Sequence, residues 1–218
     1  AFGAPTILDL DGDGRLDVFI TPDGGGSVVA LFQEAPGRFL DAQVLAPLRQ
    51  AAVVDVDGDG LPDIVGAPQG VGVRVAAVSR QDPSNPRRFL SPVAYNATLG
   101  TVNEVIGADF TGDGRVDLLA SASTGNLGFA FLVQASSLAA FGQAGQVERR
   151  GRFFQPLPRD LDGDGRLDLA AIEGNSVVTY LQDTRGLFFG EPVLAHPSQQ
   201  PVSAQVVDVN RDGLLDLV

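Results

Sequence analysis

Short apolar segments recur in pairs along the chain, and each pair flanks a polar segment rich in aspartate and glycine. The apolar segments before the polar ones cover 5–10, 51–56, 105–110, 153–161 and 204–209. Those after them cover 16–20, 63–67, 116–120, 167–172 and 215–218. Short apolar segments bounded by turn residues are typical of β-strands. Each pair therefore predicts two antiparallel strands joined by the polar segment.

Two further β-rich segments follow each of the first four pairs. The third predicted strands cover 28–32, 71–78, 127–133 and 176–181. The fourth, each of which begins with phenylalanine, cover 39–45, 89–95, 141–147 and 188–194. Four antiparallel strands in a unit of about 50 residues form one blade of a β-propeller. The pattern therefore predicts an all-β propeller of four-stranded antiparallel blades.

The repeat count predicts a single propeller region over residues 1–218. Its repeats begin near residues 1, 50, 103, 152 and 202. Four units contain all four predicted strands, and the fifth contains only its first hairpin. We therefore expect about four complete blades plus the first hairpin of a fifth, as an arc of a larger propeller and part of a longer chain.

The five polar segments are nine residues long and share one pattern; we call them loop 1 (9–17), loop 2 (55–63), loop 3 (109–117), loop 4 (160–168) and loop 5 (208–216). Position 1 is aspartate in every loop: Asp9, Asp55, Asp109, Asp160 and Asp208. Position 3 always carries a side-chain oxygen: Asp11, Asp57, Thr111, Asp162 and Asn210. Position 5 is again aspartate: Asp13, Asp59, Asp113, Asp164 and Asp212. Position 9 is also aspartate in every loop: Asp17, Asp63, Asp117, Asp168 and Asp216.

This pattern predicts a metal site in each loop. Glycine at position 6 permits the tight turn that brings the carboxylates together. The backbone carbonyl of position 7 would supply a further oxygen, from Arg15, Leu61, Arg115, Arg166 and Leu214. Oxygen ligands in a flexible loop favour Ca²⁺ over Mg²⁺. Aspartate and glycine also favour plain turns, but five copies at matching positions indicate about five calcium ions. Loops 3 and 5 should bind more weakly, because Thr111 and Asn210 lack a charge.

The loops differ from an EF-hand, which has glutamate at position 12. The corresponding residues here are Ile20, Gly66, Ala120 and Ala171, and they lie inside predicted strands.

Charge and composition exclude several function classes. The net charge of −12 argues against a nucleic-acid partner, because phosphates require a basic surface. No apolar run approaches the roughly 20 residues that span a bilayer, so we expect no membrane insertion by this segment. The chain has no cysteine, which excludes disulfides and thiolate metal sites.

The loops and two flanking motifs resemble the FG-GAP and VCBS repeat family, which includes the propeller of integrin α-subunits. Phe2-Gly3 precedes the first predicted strand, and Gly66-Ala67-Pro68 follows loop 2. The other repeats keep the loop but lose one or both motifs, as in bacterial-type VCBS variants. The resemblance covers nearly the whole chain. It implies a calcium-binding propeller, usually extracellular, that serves cell adhesion, ligand binding or assembly.

The residues outside the loops predict no catalytic group. His196 is the only histidine, and the glutamates are scattered along the chain. We therefore expect a non-enzymatic module, secreted or on the cell surface, because loops of this low-affinity type stay filled only where calcium is near millimolar. Asn96-Ala97-Thr98 matches the acceptor sequence for N-glycosylation, which would make the protein a glycoprotein.

The sequence leaves the ligand open. We expect a protein or glycan partner on the faces formed by the variable segments 81–88, 96–103 and 134–150, which we interpret as loops. One alternative is a lectin-type propeller that uses the two tyrosines, Tyr95 and Tyr180, as sugar platforms. Another is the accessory propeller of a polysaccharide-acting enzyme whose catalytic residues lie elsewhere.

Overall fold

The computed structural model describes residues 5–21, 26–70, 74–97, 101–122, 127–135, 140–148, 153–184, 193–197 and 204–218. These residues form β-strands and turns and contain no helix. No helix long and apolar enough to cross a membrane occurs in these ranges. The strands confirm the all-β prediction.

The first two repeats have six strands each. The first contains β1 (Thr6–Leu8), β2 (Asp17–Ile20), β3 (Val28–Leu31), β4 (Gln33–Ala35), β5 (Arg38–Phe39) and β6 (Gln43–Ala46). The second contains β7 (Leu48–Val54), β8 (Asp63–Pro68), β9 (Val75–Ser79), β10 (Gln81–Asp82), β11 (Asn85–Phe89) and β12 (Val93–Asn96). Each forms a four-stranded antiparallel sheet, in the orders β1-β2-β3-β6 and β7-β8-β9-β12. A separate small hairpin, β4–β5 or β10–β11, lies between the third and fourth strands of the sheet.

The remaining repeats follow the same plan. The third contains β13 (Val102–Ala108), β14 (Asp117–Ala122), β15 (Leu127–Gln134) and β16 (Phe141–Glu148). The fourth contains β17 (Phe153–Arg159), β18 (Asp168–Glu173), β19 (Ser176–Tyr180) and β20 (Val193–Pro197). The fifth contributes the hairpin β21 (Val206–Val207) and β22 (Asp216–Leu217). Four four-stranded sheets plus one hairpin confirm the predicted blades.

The core lies between neighbouring sheets. Three buried clusters join repeat 1 to repeat 2, repeat 2 to repeat 3, and repeat 3 to repeat 4. The second strands of repeats 2, 3 and 4 (β8, β14 and β18) are buried on both faces, because each lies in a sheet that packs against neighbouring sheets. This burial explains why these strands read as continuous apolar runs rather than as an alternating pattern.

Gly107 of β13 lies where the sheets of repeats 2 and 3 approach each other closely. A Cβ atom on Gly107 would lie 2.7 Å from Cγ1 of Val54 and 3.0 Å from Cγ1 of Val116. A side chain at position 107 would therefore force the sheets of repeats 2 and 3 apart.

Two strand predictions are wrong in the same way. Phe39 and Phe89 do not begin the fourth strands of their sheets; they end β5 and β11, and the fourth strands start at Gln43 and Val93. Phe89 is nearly buried against the cluster between repeats 1 and 2, so the aromatic side chain anchors the hairpin to the core. The third strand predicted over 71–78 begins at Val75 among the described residues, and Phe188 lies outside them.

The variable segments are also more ordered than expected. Segment 81–88 is not a loop, since most of it forms the hairpin β10–β11. Most of the described part of segment 134–150 is strand β16. In segment 96–103, residues 98–100 lie outside the described residues, and the ends belong to β12 and β13. Backbone pairing between strands, which composition does not reveal, accounts for the errors in segments 81–88 and 134–150.

Candidate metal sites in the repeat loops

The carboxylate at position 1 organises each loop by accepting backbone N–H groups. In loop 1, Asp9 Oδ1 accepts from Gly12 at 2.8 Å and from Asp13 at 3.1 Å, and Asp9 Oδ2 accepts from Gly14 at 2.9 Å. Gly12 and Gly14 have φ angles of 73° and 84°, which glycine adopts without strain. Loop 5 has Arg211 at the position of the first glycine, with φ of 62°, so this loop carries backbone strain that the others avoid.

The carboxylate at position 9 begins the second strand of each blade and is buried in the first four repeats. In loop 2, Asp63 Oδ2 accepts the N–H of Val56 at 3.0 Å, and Asp63 Oδ1 accepts the N–H of Gln81 at 2.8 Å. The same two-sided arrangement holds Asp17, Asp117 and Asp168. Position 9 therefore fixes the end of the loop to the third strand.

Burial makes these carboxylates costly to ionise without a cation. Burial raises the pKa of Asp63 to about 6, although the hydrogen bonds from Gln81 and Val56 lower it, and the nearby charges of Asp57 and Asp59 raise it further. Burial also raises the pKa of Asp17 and Asp117. A divalent cation in the loop would favour the ionised form of each group.

Three loops bring three carboxylates to one point. The groups are Asp9, Asp11 and Asp13; Asp55, Asp57 and Asp63; and Asp160, Asp162 and Asp168. In each group one oxygen per residue lies within 4.8 Å of the others. The described residues contain no other group of three potential metal-ligating side chains. The structure thus gathers part of the predicted ligand set in loops 1, 2 and 4.

Asp57 has a buried oxygen that the protein leaves without a partner. Its side chain is 10% exposed, and Oδ2 pairs with Arg80 Nη1 at 3.1 Å. Oδ1 is buried and has no hydrogen-bond partner among the described residues. Buried polar atoms are almost always paired, so a buried oxygen without a donor, on a carboxylate that clusters with Asp55 and Asp63, fits a site for a hard cation. The donor set, which contains only oxygens, suits calcium.

Arginine side chains reach the position 5 carboxylates. Arg15, Arg115 and Arg166, at position 7, each pair with the position 5 aspartate of the same loop. The Nε atoms of Arg15 and Arg166 also donate to the carbonyls of Gln33 and Gln182. These side-chain roles were not predicted. Ligation by the position 7 carbonyls stays a prediction, as does that by the remaining loop residues.

A glutamine at the end of the third strand links neighbouring repeats through the loops in repeats 2, 3 and 4. Gln81 donates its backbone N–H to Asp63 of its own repeat and its side-chain amide to the carbonyl of Leu10 in loop 1, at 2.6 Å. Gln134 and Gln182 repeat this geometry on loops 2 and 3. The sequence contains the signal, since Gln33, Gln81, Gln134 and Gln182 each lie at or just after the end of a third strand, but the structure was needed to reveal the role of the last three.

The other predicted site residues are scattered. Tyr180 is fully buried and packs edge-on against Phe129 with ring centroids 6.1 Å apart, so it cannot be a sugar platform. Tyr95 is half-buried and packs against Phe141 at 5.1 Å. Asn96 is exposed but lies at the end of strand β12 rather than in a loop. Thr98 of the glycosylation sequence and the region around Arg150 lie outside the described residues.

Comparison with known families assigns the repeats. A family model described as an FG-GAP-like repeat matches residues 9–66, 55–120 and 160–218. The chain belongs to the FG-GAP-like repeat family. Each match spans at least one of the loops described above, which confirms the resemblance drawn from the sequence. No curated protein sequence matches the chain.

A solved structure shows the same fold as this FG-GAP-like chain. It is a lectin of Agrocybe aegerita, described as specifically recognising non-reducing terminal N-acetylglucosamine. The two chains are 20% identical with a TM-score of 0.63, and the match covers 98% of this chain and 59% of the lectin. This chain therefore spans less than two thirds of the lectin's length, and the likeness supports a propeller-type fold.

Proposed function

We propose that this chain is a calcium-stabilised, non-catalytic binding module that works outside the cytosol, either secreted or at the cell surface. Asp57 carries the proposal, because its buried Oδ1 atom lacks a donor among the described residues and its side chain belongs to a cluster of three carboxylates. Asp55, Asp57 and Asp63 would hold the ion in loop 2, and the corresponding aspartates would do so in loops 1 and 4. The ion would neutralise the clustered charges and hold the loop in its folded shape. Loops 3 and 5 complete the proposed set of about five sites.

Calcium should contribute measurably to stability. Extracellular sites of this kind bind with dissociation constants down to ~0.1 mM, so ~1 mM calcium gives ~1.4 kcal/mol for each filled site. Three filled sites should raise Tm by roughly 8–16 °C relative to EGTA for a chain of this size. Magnesium at the same concentration should raise Tm much less than calcium does, because magnesium demands octahedral geometry.

A matched pair of variants tests whether Asp57 contributes to a calcium site in loop 2. Asp57→Asn removes a charge from loop 2, and Asp41→Asn makes the same change at an exposed aspartate outside the loops. We expect the calcium-dependent rise in Tm to shrink by about one site's share in the first variant and to stay at the wild-type value in the second. A rise that is absent in the wild type, or equal in all three proteins, contradicts the proposal.

A glycan is the ligand class that we propose as the second candidate. A cleft of about 420 Å³ lies between loops 3 and 4, within the range of small-ligand sites. Its polar lining includes Thr111, Arg166, Gln182 and Thr184. The lectin of similar fold recognises terminal N-acetylglucosamine, which makes glycans with that terminus the first probes.

A glycan array separates this candidate from a protein-binding module. The glycan candidate requires sugar-specific binding that Thr184→Ala weakens and that Ser84→Ala, in the distant hairpin β10–β11, leaves unchanged. Absence of binding across the array supports a protein ligand instead.

A further inference from the structure

Loops 1 and 4 have the same nine-residue sequence, Asp-Leu-Asp-Gly-Asp-Gly-Arg-Leu-Asp. Their internal hydrogen bonds also match: Gly14 and Gly165 each donate to the position 1 carboxylate at 2.9 Å, and Arg15 and Arg166 each pair with the position 5 aspartate. The carboxylates gathered at one point differ, however: they are Asp9, Asp11 and Asp13 in loop 1, and Asp160, Asp162 and Asp168 in loop 4.

Loop 1 receives an arginine from the next repeat. Arg87, in strand β11 of repeat 2, donates from Nε to Asp11 Oδ2 at 2.5 Å, and its Nη2 lies 3.4 Å from Asp13 Oδ2. The Asp11 side chain is only 5% exposed, so this ion pair is shielded from water and screened less than a surface pair.

The position of Arg87 is fixed from two further sides. Its guanidinium lies 5.2 Å from the centre of the buried Phe32 ring, a cation–π distance. Its backbone carbonyl accepts the side-chain amide of Gln43 at 3.0 Å. The charge is therefore held at the seam between repeats 1 and 2 and directed at two of the three clustered carboxylates of loop 1.

Among the described residues, Arg87 contacts the carboxylates of loop 1, whereas the loop 4 carboxylate Asp164 pairs with its own Arg166. Loop 4 therefore serves as a second reporter of calcium binding in the same molecule, which a change at position 87 should leave unaltered.

We propose that Arg87 is a tethered cation that competes with calcium for loop 1, so that removing its charge strengthens calcium binding there. The inference rests on the proposed calcium binding and deepens it. Arg87 occupies an oxygen of Asp11 and places a positive charge within a few ångströms of the clustered carboxylates, so calcium must displace it or bind beside it. We expect the affinity of loop 1 for calcium to rise about three- to tenfold at moderate salt when the charge is removed.

The test reads the two loops separately in one molecule. In a calcium titration followed by NMR, the amide signals of Gly14 and Gly165 report loops 1 and 4. The variants are Arg87→Gln, which removes the charge, and Arg87→Lys, which keeps the charge but loses the planar fork. Arg88→Gln is the control, because it removes the same charge from the same hairpin, whereas Arg88 pairs with Asp82 and not with loop 1.

We expect Arg87→Gln to lower the calcium concentration at the Gly14 midpoint and to leave the Gly165 midpoint unchanged. Arg87→Lys should give a Gly14 midpoint between those of the wild type and Arg87→Gln, and Arg88→Gln should leave both midpoints unchanged. A Gly14 midpoint that Arg87→Gln leaves in place or raises overturns the competitor role. If neither glycine responds to calcium, the calcium proposal itself has failed, which is a different result.

Discussion

The side-chain amide of Gln134 donates a 2.6 Å hydrogen bond to the carbonyl oxygen of Val56, 78 residues earlier in the chain. Both groups are buried, and the bond joins repeat 3 to loop 2 of repeat 2. The backbone N–H of Gln134 meanwhile donates to Asp117 in its own repeat. One residue thus connects candidate calcium loop 2 to loop 3, which follows it.

Replacing Gln134 by leucine should destabilise the fold. The substitution keeps the approximate volume and the backbone bond to Asp117 but leaves the Val56 carbonyl without its donor in a buried place. Such a loss costs about 1–3 kcal/mol. Urea unfolding, with calcium and with EGTA, measures the cost.

The control for Gln134→Leu is Gln69→Leu, because the Gln69 amide bonds the Ser27 hydroxyl at an exposed position. Surface changes of this kind usually stay within about 0.5 kcal/mol. Equal unfolding free energies for the two variants would show that the link between repeats contributes nothing.

The loops and the strands that flank them could be predicted because the information is local. Aspartate and glycine at fixed positions define the turn, and the apolar runs on either side define the strands. The hairpins β4–β5 and β10–β11 could not be predicted, since Phe39 and Phe89 suit a strand or an anchor equally well. For Phe89 the structure distinguishes the two roles, because its side chain packs against the core between repeats 1 and 2.

The links between repeats could not be predicted from the sequence for a different reason. The contact of Arg87 with Asp11 spans 76 residues, and nothing near either residue in the sequence indicates the other. Loops 1 and 4 illustrate the limit, because identical local sequences lie in different electrostatic surroundings. The sequence predicts a candidate ligand set, whereas the charges around that set include a side chain that the neighbouring repeat supplies.

Thr111→Asp should change the stability of the protein in opposite directions with and without calcium. In loop 3 the substitution gives position 3 the carboxylate found in loops 1, 2 and 4. With calcium, the extra charge should strengthen the site and raise Tm. In EGTA it should lower Tm, because the new charge lies beside Asp117, whose pKa burial already raises.

Thermal melts of the wild type and Thr111→Asp under both conditions check this. We expect changes of roughly 2–4 °C in each direction, about 1 kcal/mol for a chain of this size. Thr184→Asp adds the same charge outside the loop and should show no calcium dependence. A Tm change of the same sign in calcium and in EGTA would argue against a metal at loop 3.

Gly107→Ala should weaken the packing between repeats 2 and 3. The added methyl group would meet Val54 Cγ1 at 2.7 Å, and overpacking of this kind costs about 1–3 kcal/mol. Val54→Ala in the same molecule should recover part of the loss, since it removes the clashing group. Gly142→Ala is the control, because a Cβ there meets no atom within 4 Å. Unfolding free energies that are equal for the two glycine variants would contradict the close approach.

The burial of Glu104 predicts a pH dependence of stability that does not involve the aspartates of the loops. Glu104 lies in β13, and its Oε2 accepts the N–H of Gln155 in repeat 4 at 3.0 Å. Burial raises the pKa of Glu104 above its ordinary value of 4.5, and the hydrogen bond from Gln155 lowers it by less. The folded protein therefore holds this proton to a higher pH than the unfolded chain does. Stability from this group is greatest below pH 4.5, falls as the pH rises through the folded pKa, and stays low above it.

Glu104→Gln removes the ionisation but keeps a carbonyl oxygen for the Gln155 N–H. We expect the variant to be more stable than the wild type at pH 7, with a rise in Tm of roughly 2–4 °C, and to match it near pH 4. Because both proteins carry the same loops, titration of the loop aspartates cancels in the difference. Glu34→Gln, at an exposed glutamate paired with Arg38, should change Tm little at either pH. A Glu104→Gln variant that is less stable at pH 7 would mean that the ionised carboxylate strengthens the bond to Gln155 by more than burial costs.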